Sequence, residues 1–159
     1  MGVPLDSDRL NRWLTLGANV GVLIGIILLV VELDQNRDMM RAQTRNELAR
    51  GLPEVLGIPA SDNALADALL RANRGEPLSP AETLQVAMWD ELTFRYWENV
   101  HYQYRQGLYD ESEFSRHQDT MKSVIGRNPR LEKFWCAERH LYSEPFMHFI
   151  DEMLIALSC

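Results

Sequence analysis

Trp13 to Val31 reads WLTLGANVGVLIGIILLVV, 19 residues without one charged side chain. At a helical rise of ~1.5 Å per residue the run falls just short of the ~30 Å hydrocarbon core of a bilayer. Thr15 and Asn19 are its only clearly polar side chains. Arg9 and Arg12 bound it on one side, and Glu32 and Asp34 on the other. Trp13 stands where an interfacial aromatic anchor belongs. The core helix of a soluble protein seldom needs so long a charge-free run. A cleaved signal peptide fits less well, because its apolar region usually spans ~7–15 residues. Glu32-Leu33-Asp34-Gln35-Asn36 also follows where a small-x-small cleavage site would be needed. The stretch reads as a retained anchor, with 1–12 as its flank and 13–33 as the membrane helix. Asp6 occupies the place of the Ser or Thr of a myristoylation signal, and Cys159, the last residue, makes no prenylation box.

Inside the run, Gly17, Gly21 and Gly25 recur every four residues. That spacing puts them on one helical face, where a second helix can approach the backbone closely. Asn19 lies beside that face and can hydrogen-bond across a helix–helix contact. The expected partners are the lipid bilayer and another transmembrane helix, from a second copy or a different protein. Two arginines, Arg9 and Arg12, precede the run, and Arg37, Arg41, Arg45 and Arg50 follow it. The positive-inside bias therefore predicts a cytoplasmic C-terminal domain.

Working outward, residues 34–53 contain no Gly or Pro before Gly51, and Met40, Thr44 and Leu48 make a narrow stripe at period four. The expectation is a helical stalk continuing the membrane helix until Gly51 and Pro53 end or bend it. Residues 54–159 form the remaining helical domain. A helix is expected over 61–74, capped by Ser61 or Asp62 and closed by Gly75, with Leu65, Leu69 and Ala72 as its buried stripe. Ser79-Pro80-Ala81-Glu82 is a capping box with proline in the first turn. The helix it opens should reach about Gln106, with Gly107 beyond. It has one apolar row of Leu84, Met88, Leu92 and Tyr96, and a second of Trp89, Trp97, His101 and Tyr104. Two apolar rows predict a central helix covered on two sides. Further helices are expected from Asp110 to Ile125, from Asn128-Pro129, and from Ser143 with Pro145. No stretch alternates with period two, so the fold class is all-α: one N-terminal membrane helix with a stalk, then a small helical bundle.

The whole chain has 159 residues, 46% hydrophobic and 25% charged, which bounds it to about one domain and excludes a disordered, collagen-like or disulfide-framework chain. A formal net charge of -7 argues against a general nucleic-acid binder. Of the 14 aromatic residues only Trp13 precedes position 89, which places the folded core in the second half.

Motifs for chemistry are sparse. Glu98-Asn99-Val100-His101 puts a carboxylate and an imidazole on one helical face, the half-site of a metal bundle, but only one such pair is present. The simpler reading makes His101 a core histidine and Glu98 a paired carboxylate. Phosphate-binding loops, a nucleophile elbow and Cys-x-x-Cys are missing, and no cofactor is implied. Cys136, next to Trp135, reads as a small buried hydrophobe. Tyr102, Tyr104, Arg105 and Tyr109 can make a recognition surface, since Tyr and Arg are favoured at interface hot spots, or can simply pack the bundle.

The anchor together with RYWENVHYQYRQGLYDESEF (95–114) resembles a family of small bacterial single-pass membrane proteins with a C-terminal helical domain. The resemblance covers most of the chain and implies no catalytic or binding residue. Three functional readings follow. One is a membrane-anchored interaction or accessory protein, such as a small subunit of a larger membrane assembly. Another is a metal-binding helical enzyme using Glu98 and His101. The last is an oligomeric membrane effector with a ligand-sensing soluble domain.

Overall fold

The computed structural model describes residues 7–154, so the myristoylation and prenylation positions at the two ends lie outside the described residues. Among these residues there are six α-helices and no strand: α1 (Ser7–Ser61), α2 (Asn63–Asn73), α3 (Pro80–Arg105), α4 (Glu111–Arg127), α5 (Pro129–Glu138) and α6 (Glu144–Met153). A 3-10 turn at Arg139–Leu141 joins the last two. The chain divides into two compact units, residues 1–40 and 41–159.

The first unit is the early part of α1, and every described side chain in it is exposed. Nothing interrupts the helix, because glycine is the weakest former present and the flanking Leu, Ile and Val residues carry it. Thr15 donates its hydroxyl to the Asn11 carbonyl at 2.9 Å, so this polar group is satisfied within the helix. A Cβ added at Gly17, Gly21 or Gly25 would meet nothing within 4 Å. By length and composition α1 is able to cross a membrane.

The second unit is a helical bundle with two buried clusters. The larger gathers Leu48 of α1 with side chains from α3, α4, α5 and α6. At its centre the Phe94 ring meets Trp97 edge-on at 5.2 Å and stacks on Trp135 at 5.1 Å. The smaller joins Val55 of α1, Leu65, Ala68 and Leu69 of α2, and Val86 and Trp89 of α3. Local signals fix most boundaries. Asp62 accepts from Ala64 N–H at the start of α2, and Asp110 from Ser112 N–H at the start of α4. Ser79 and Glu82 bond reciprocally at the start of α3. Gly75 and Gly107 follow α2 and α3 in the left-handed region, at φ of 71° and 69°, where a side chain would be strained.

Three expectations are corrected. Of the two outcomes expected at Gly51 and Pro53, an end is ruled out, because α1 continues to Ser61 with Pro53 and Pro59 inside it. A proline inside a helix costs about 3 kcal/mol. Burial of Thr44, Leu48 and Val55 against the bundle offsets that cost and holds the helix through the break. Gly51 has a different role: its missing side chain admits Tyr96, whose Cε2 would stand 3.2 Å from a Cβ placed there. The second correction concerns the first apolar row of α3, of which only Tyr96 is covered. Leu84 and Met88 are 61% and 63% exposed, and Leu92 is also exposed. The buried face carries Val86, Trp89, Asp90, Thr93, Phe94, Trp97, Val100 and His101. Periodicity detects an apolar row but not whether anything lies against it. Lastly, Cys136 is exposed on α5 rather than buried, and no free cysteine occurs among the described residues.

One buried polar contact spans two helices. Asp90 of α3 pairs with Arg130 of α5, their side chains only 4% and 11% exposed. Burial pulls the Arg130 guanidinium down to about 10. Leaving either partner alone in this environment would cost several kcal/mol.

Candidate functional site

The Glu98 and His101 side chains point to different tasks. Glu98 Oε1 accepts the Ser143 backbone N–H at 2.8 Å, which caps the first turn of α6 from another helix. Its other oxygen accepts from Arg95 at 3.1 Å. Burial pushes this carboxyl up, but these bonds to Ser143 and Arg95 outweigh it and hold the group below the usual carboxylate range. Arg95 also lies 4.5 Å above the Tyr142 ring and donates to the Leu141 carbonyl. Together the two residues tie the α5–α6 connection to α3. His101 is buried among rings, stacked on Phe149 at 4.6 Å with Phe114 and Phe146 beside it. Burial lowers its pKa, Arg105 lowers it further, and Glu98 opposes them. Among the described residues, no group of three or more His, Cys, Asp or Glu side chains is placed to hold a metal ion.

Of the four proposed recognition residues, the structure brings two together. Tyr104 and Tyr109 line a cavity of about 630 Å³, whereas Tyr102 and Arg105 do not. Tyr102 stands 52% exposed on α3. The cavity lies where the second part of α1 meets the α3–α4 corner, and Arg41, Arg45 and Arg116 supply three guanidinium groups to its lining. Asp110, Glu111 and Glu113, around the first turn of α4, supply an equal number of carboxylates. Arg41 Nε donates to the Gly107 carbonyl at 3.1 Å, and Arg116 Nε to the Ser112 carbonyl at 3.1 Å. Arg45 pairs with Glu113 at 2.8 Å, and the Tyr104 hydroxyl donates to Glu111 at 2.5 Å. The Tyr104 ring lies flat on Phe114, 3.9 Å between centroids, so the larger core backs this wall.

Behind the cavity runs a chain of hydrogen bonds. Tyr96 Oη lies 3.2 Å from the Leu48 carbonyl and donates to it. The same oxygen lies 3.3 Å from His117 Nε2, and Tyr109 Oη lies 3.2 Å from His117 Nδ1. Because the Tyr96 hydrogen is committed to Leu48, one assignment gives every contact its own hydrogen: His117 is neutral, donates from Nε2 to Tyr96 and accepts at Nδ1 from Tyr109. Burial lowers the His117 pKa, with Glu113 opposing, and so favours this neutral ring. Burial and the neighbouring Tyr109 push Tyr96 up to about 12, which keeps its hydroxyl protonated. The relay thus links α1, α3, the α3–α4 corner and α4 without a formal charge.

Sequence reasoning missed Arg41, Arg45, Arg116 and His117 as a group. One signal was available: Arg37, Arg41 and Arg45 repeat at period four. Arg116 and His117 carry none, since only the fold brings α4 against α1. No family model, no curated protein and no solved structure matches this chain.

Proposed function

We propose that this chain is a membrane-anchored helical accessory protein that joins a larger assembly, or a second copy of itself, through its N-terminal helix. The carrying observation is the charge-free apolar surface of residues 13–31, whose side chains are all exposed and whose glycine row at 17, 21 and 25 is open. Lipid supplies little hydrophobic drive for helices to associate, so close backbone approach and dispersion must provide it. A glycine row permits that approach. The Asn19 side chain makes no hydrogen bond among the described residues and supplies a polar group for the same contact. The arginine bias around the anchor supports a cytoplasmic bundle. The resemblance to small bacterial membrane proteins agrees with this reading. No observation favours the metal-enzyme alternative, since Glu98 is engaged by Ser143 and Arg95.

Two measurements test it. The full chain should remain in the membrane fraction after an alkaline wash and require detergent for release; recovery in the soluble fraction refutes the anchor. Gly21→Ile keeps the run apolar, so insertion should survive while crosslinked partners or copies are lost. Val22→Ile, on another face, should retain them. Identical crosslinks in both variants and the parent chain refute the glycine contact.

A further inference from the structure

We propose that the cavity between α1, the α3–α4 corner and α4 binds a phosphate–ammonium zwitterion of the phosphoethanolamine type. Three guanidinium and three carboxylate groups line about 630 Å³, a volume suited to a small ligand or a lipid headgroup. The lining holds as many guanidinium as carboxylate groups, so a bare anion meets no favourable overall field, while a molecule bearing both signs can pair with both.

The hydrogen-bonding inventory points the same way. Arg116 spends its Nε on the Ser112 carbonyl, which fixes the guanidinium plane. Its two η-amines form the fork that receives an oxyanion through two parallel bonds. Arg41 and Arg45 add positive charge from successive turns of α1. Glu111 and Glu113 each hold a protein donor, Tyr104 and Arg45 respectively, and keep further lone pairs for an ammonium group. The Ser112 amide of α4 takes no part, because Asp110 already accepts it at 2.8 Å.

The zwitterion has two sources, a free small molecule or the headgroup of a membrane lipid. Arg41 is ten residues along the chain from Val31, the end of the apolar run. The lipid source alone rests on the anchor reading above, and the free source is independent of it.

The full chain in detergent micelles is titrated calorimetrically with phosphoethanolamine, inorganic phosphate and ethanolamine. The expected result is binding of phosphoethanolamine at least about tenfold tighter than of either fragment, the size expected from a charge-assisted pair. Arg116→Gln should weaken it by about tenfold or more, with Arg45→Gln as the second variant should Arg116→Gln misfold. Arg45 is 70% exposed, so the change removes an ion pair but little packing. Lys122→Gln, on α4 but outside the cavity, should leave binding unaltered. In a second arm, the chain is reconstituted in nanodiscs of mixed phosphatidylethanolamine and phosphatidylglycerol and analysed by native mass spectrometry. Selective retention of phosphatidylethanolamine, lost in the cavity variants, assigns the lipid source. Phosphoethanolamine binding without such retention assigns the free source. Phosphate binding as tightly as phosphoethanolamine overturns the zwitterion, and so does the failure of both arms. A chain that leaves the membrane fraction removes only the lipid source, and the micelle titration still decides the proposal.

Discussion

His117 and His101 both have depressed pKa values, and burial is the largest cause in each. The unfolded chain binds protons near the ordinary ~6.5, whereas the folded chain keeps these rings neutral to lower pH. In that window the unfolded state holds more protons, so stability is full above ~6.5, falls as pH drops from there towards the folded values, and levels off below them. Denaturant unfolding followed by tryptophan fluorescence should show this loss between about pH 7 and pH 5, and His117→Gln should flatten its slope. An unchanged slope would assign the acid sensitivity elsewhere. The Asp90–Arg130 pair gives a second residue-scale outcome. Arg130→Met strands a buried carboxylate and should destabilise by about 3–5 kcal/mol, while the double change Asp90→Leu with Arg130→Met should recover most of the loss. A double-mutant cycle with no coupling would sever the pair. Neither site could be read in the sequence. Leu48, Tyr96 and His117 lie far apart along the chain, and no local pattern marks an arginine as buried.

At the scale of elements, local chemistry was legible and tertiary chemistry was not. Ser79 with Glu82, Asp110, and the stops at Gly75 and Gly107 act within a few residues, so the sequence marks the helix ends they set. Pro53 misleads because the persistence of α1 depends on burial of Leu48 and Val55 by distant partners. Leu84, Met88 and Leu92 mislead because apolar spacing does not reveal whether a neighbour is present. Glu98, one half of the expected metal pair, accepts the Ser143 N–H and so caps α6 from another helix. Glu98→Ala should therefore lower stability by about 1 kcal/mol, the typical value of a cap. Glu98→Gln, which still offers an oxygen to Ser143 N–H, should lose less. Equal losses in urea melts would show that charge rather than the cap matters. The Tyr102–Tyr104–Arg105–Tyr109 cluster was half legible: residues close in sequence point around a helix, and only Tyr104 and Tyr109 reach the cavity.

For the whole molecule, the division at residues 40 and 41 separates two kinds of stability. The bundle owes its stability to apolar burial among α1 to α6, and the glycine row contributes nothing to that core. Distant changes without shared partners add independently. Gly21→Ile should thus leave the thermal midpoint of the bundle unchanged in detergent while abolishing association. A midpoint shift accompanying lost association would mean that the two units stabilise each other.

Leu48 shares its core with Phe146 and Ile150, roughly a hundred positions later. At about 5–20 residues per second, the ribosome needs several seconds to deliver those partners after α1 has left it. Through that interval the inner face of α1 has no cover, and Trp135 waits for α6 as well. The bundle closes only once α6 has been synthesised. A message truncated before codon 146 yields a chain with an open core, whose exposed apolar surface invites proteolysis.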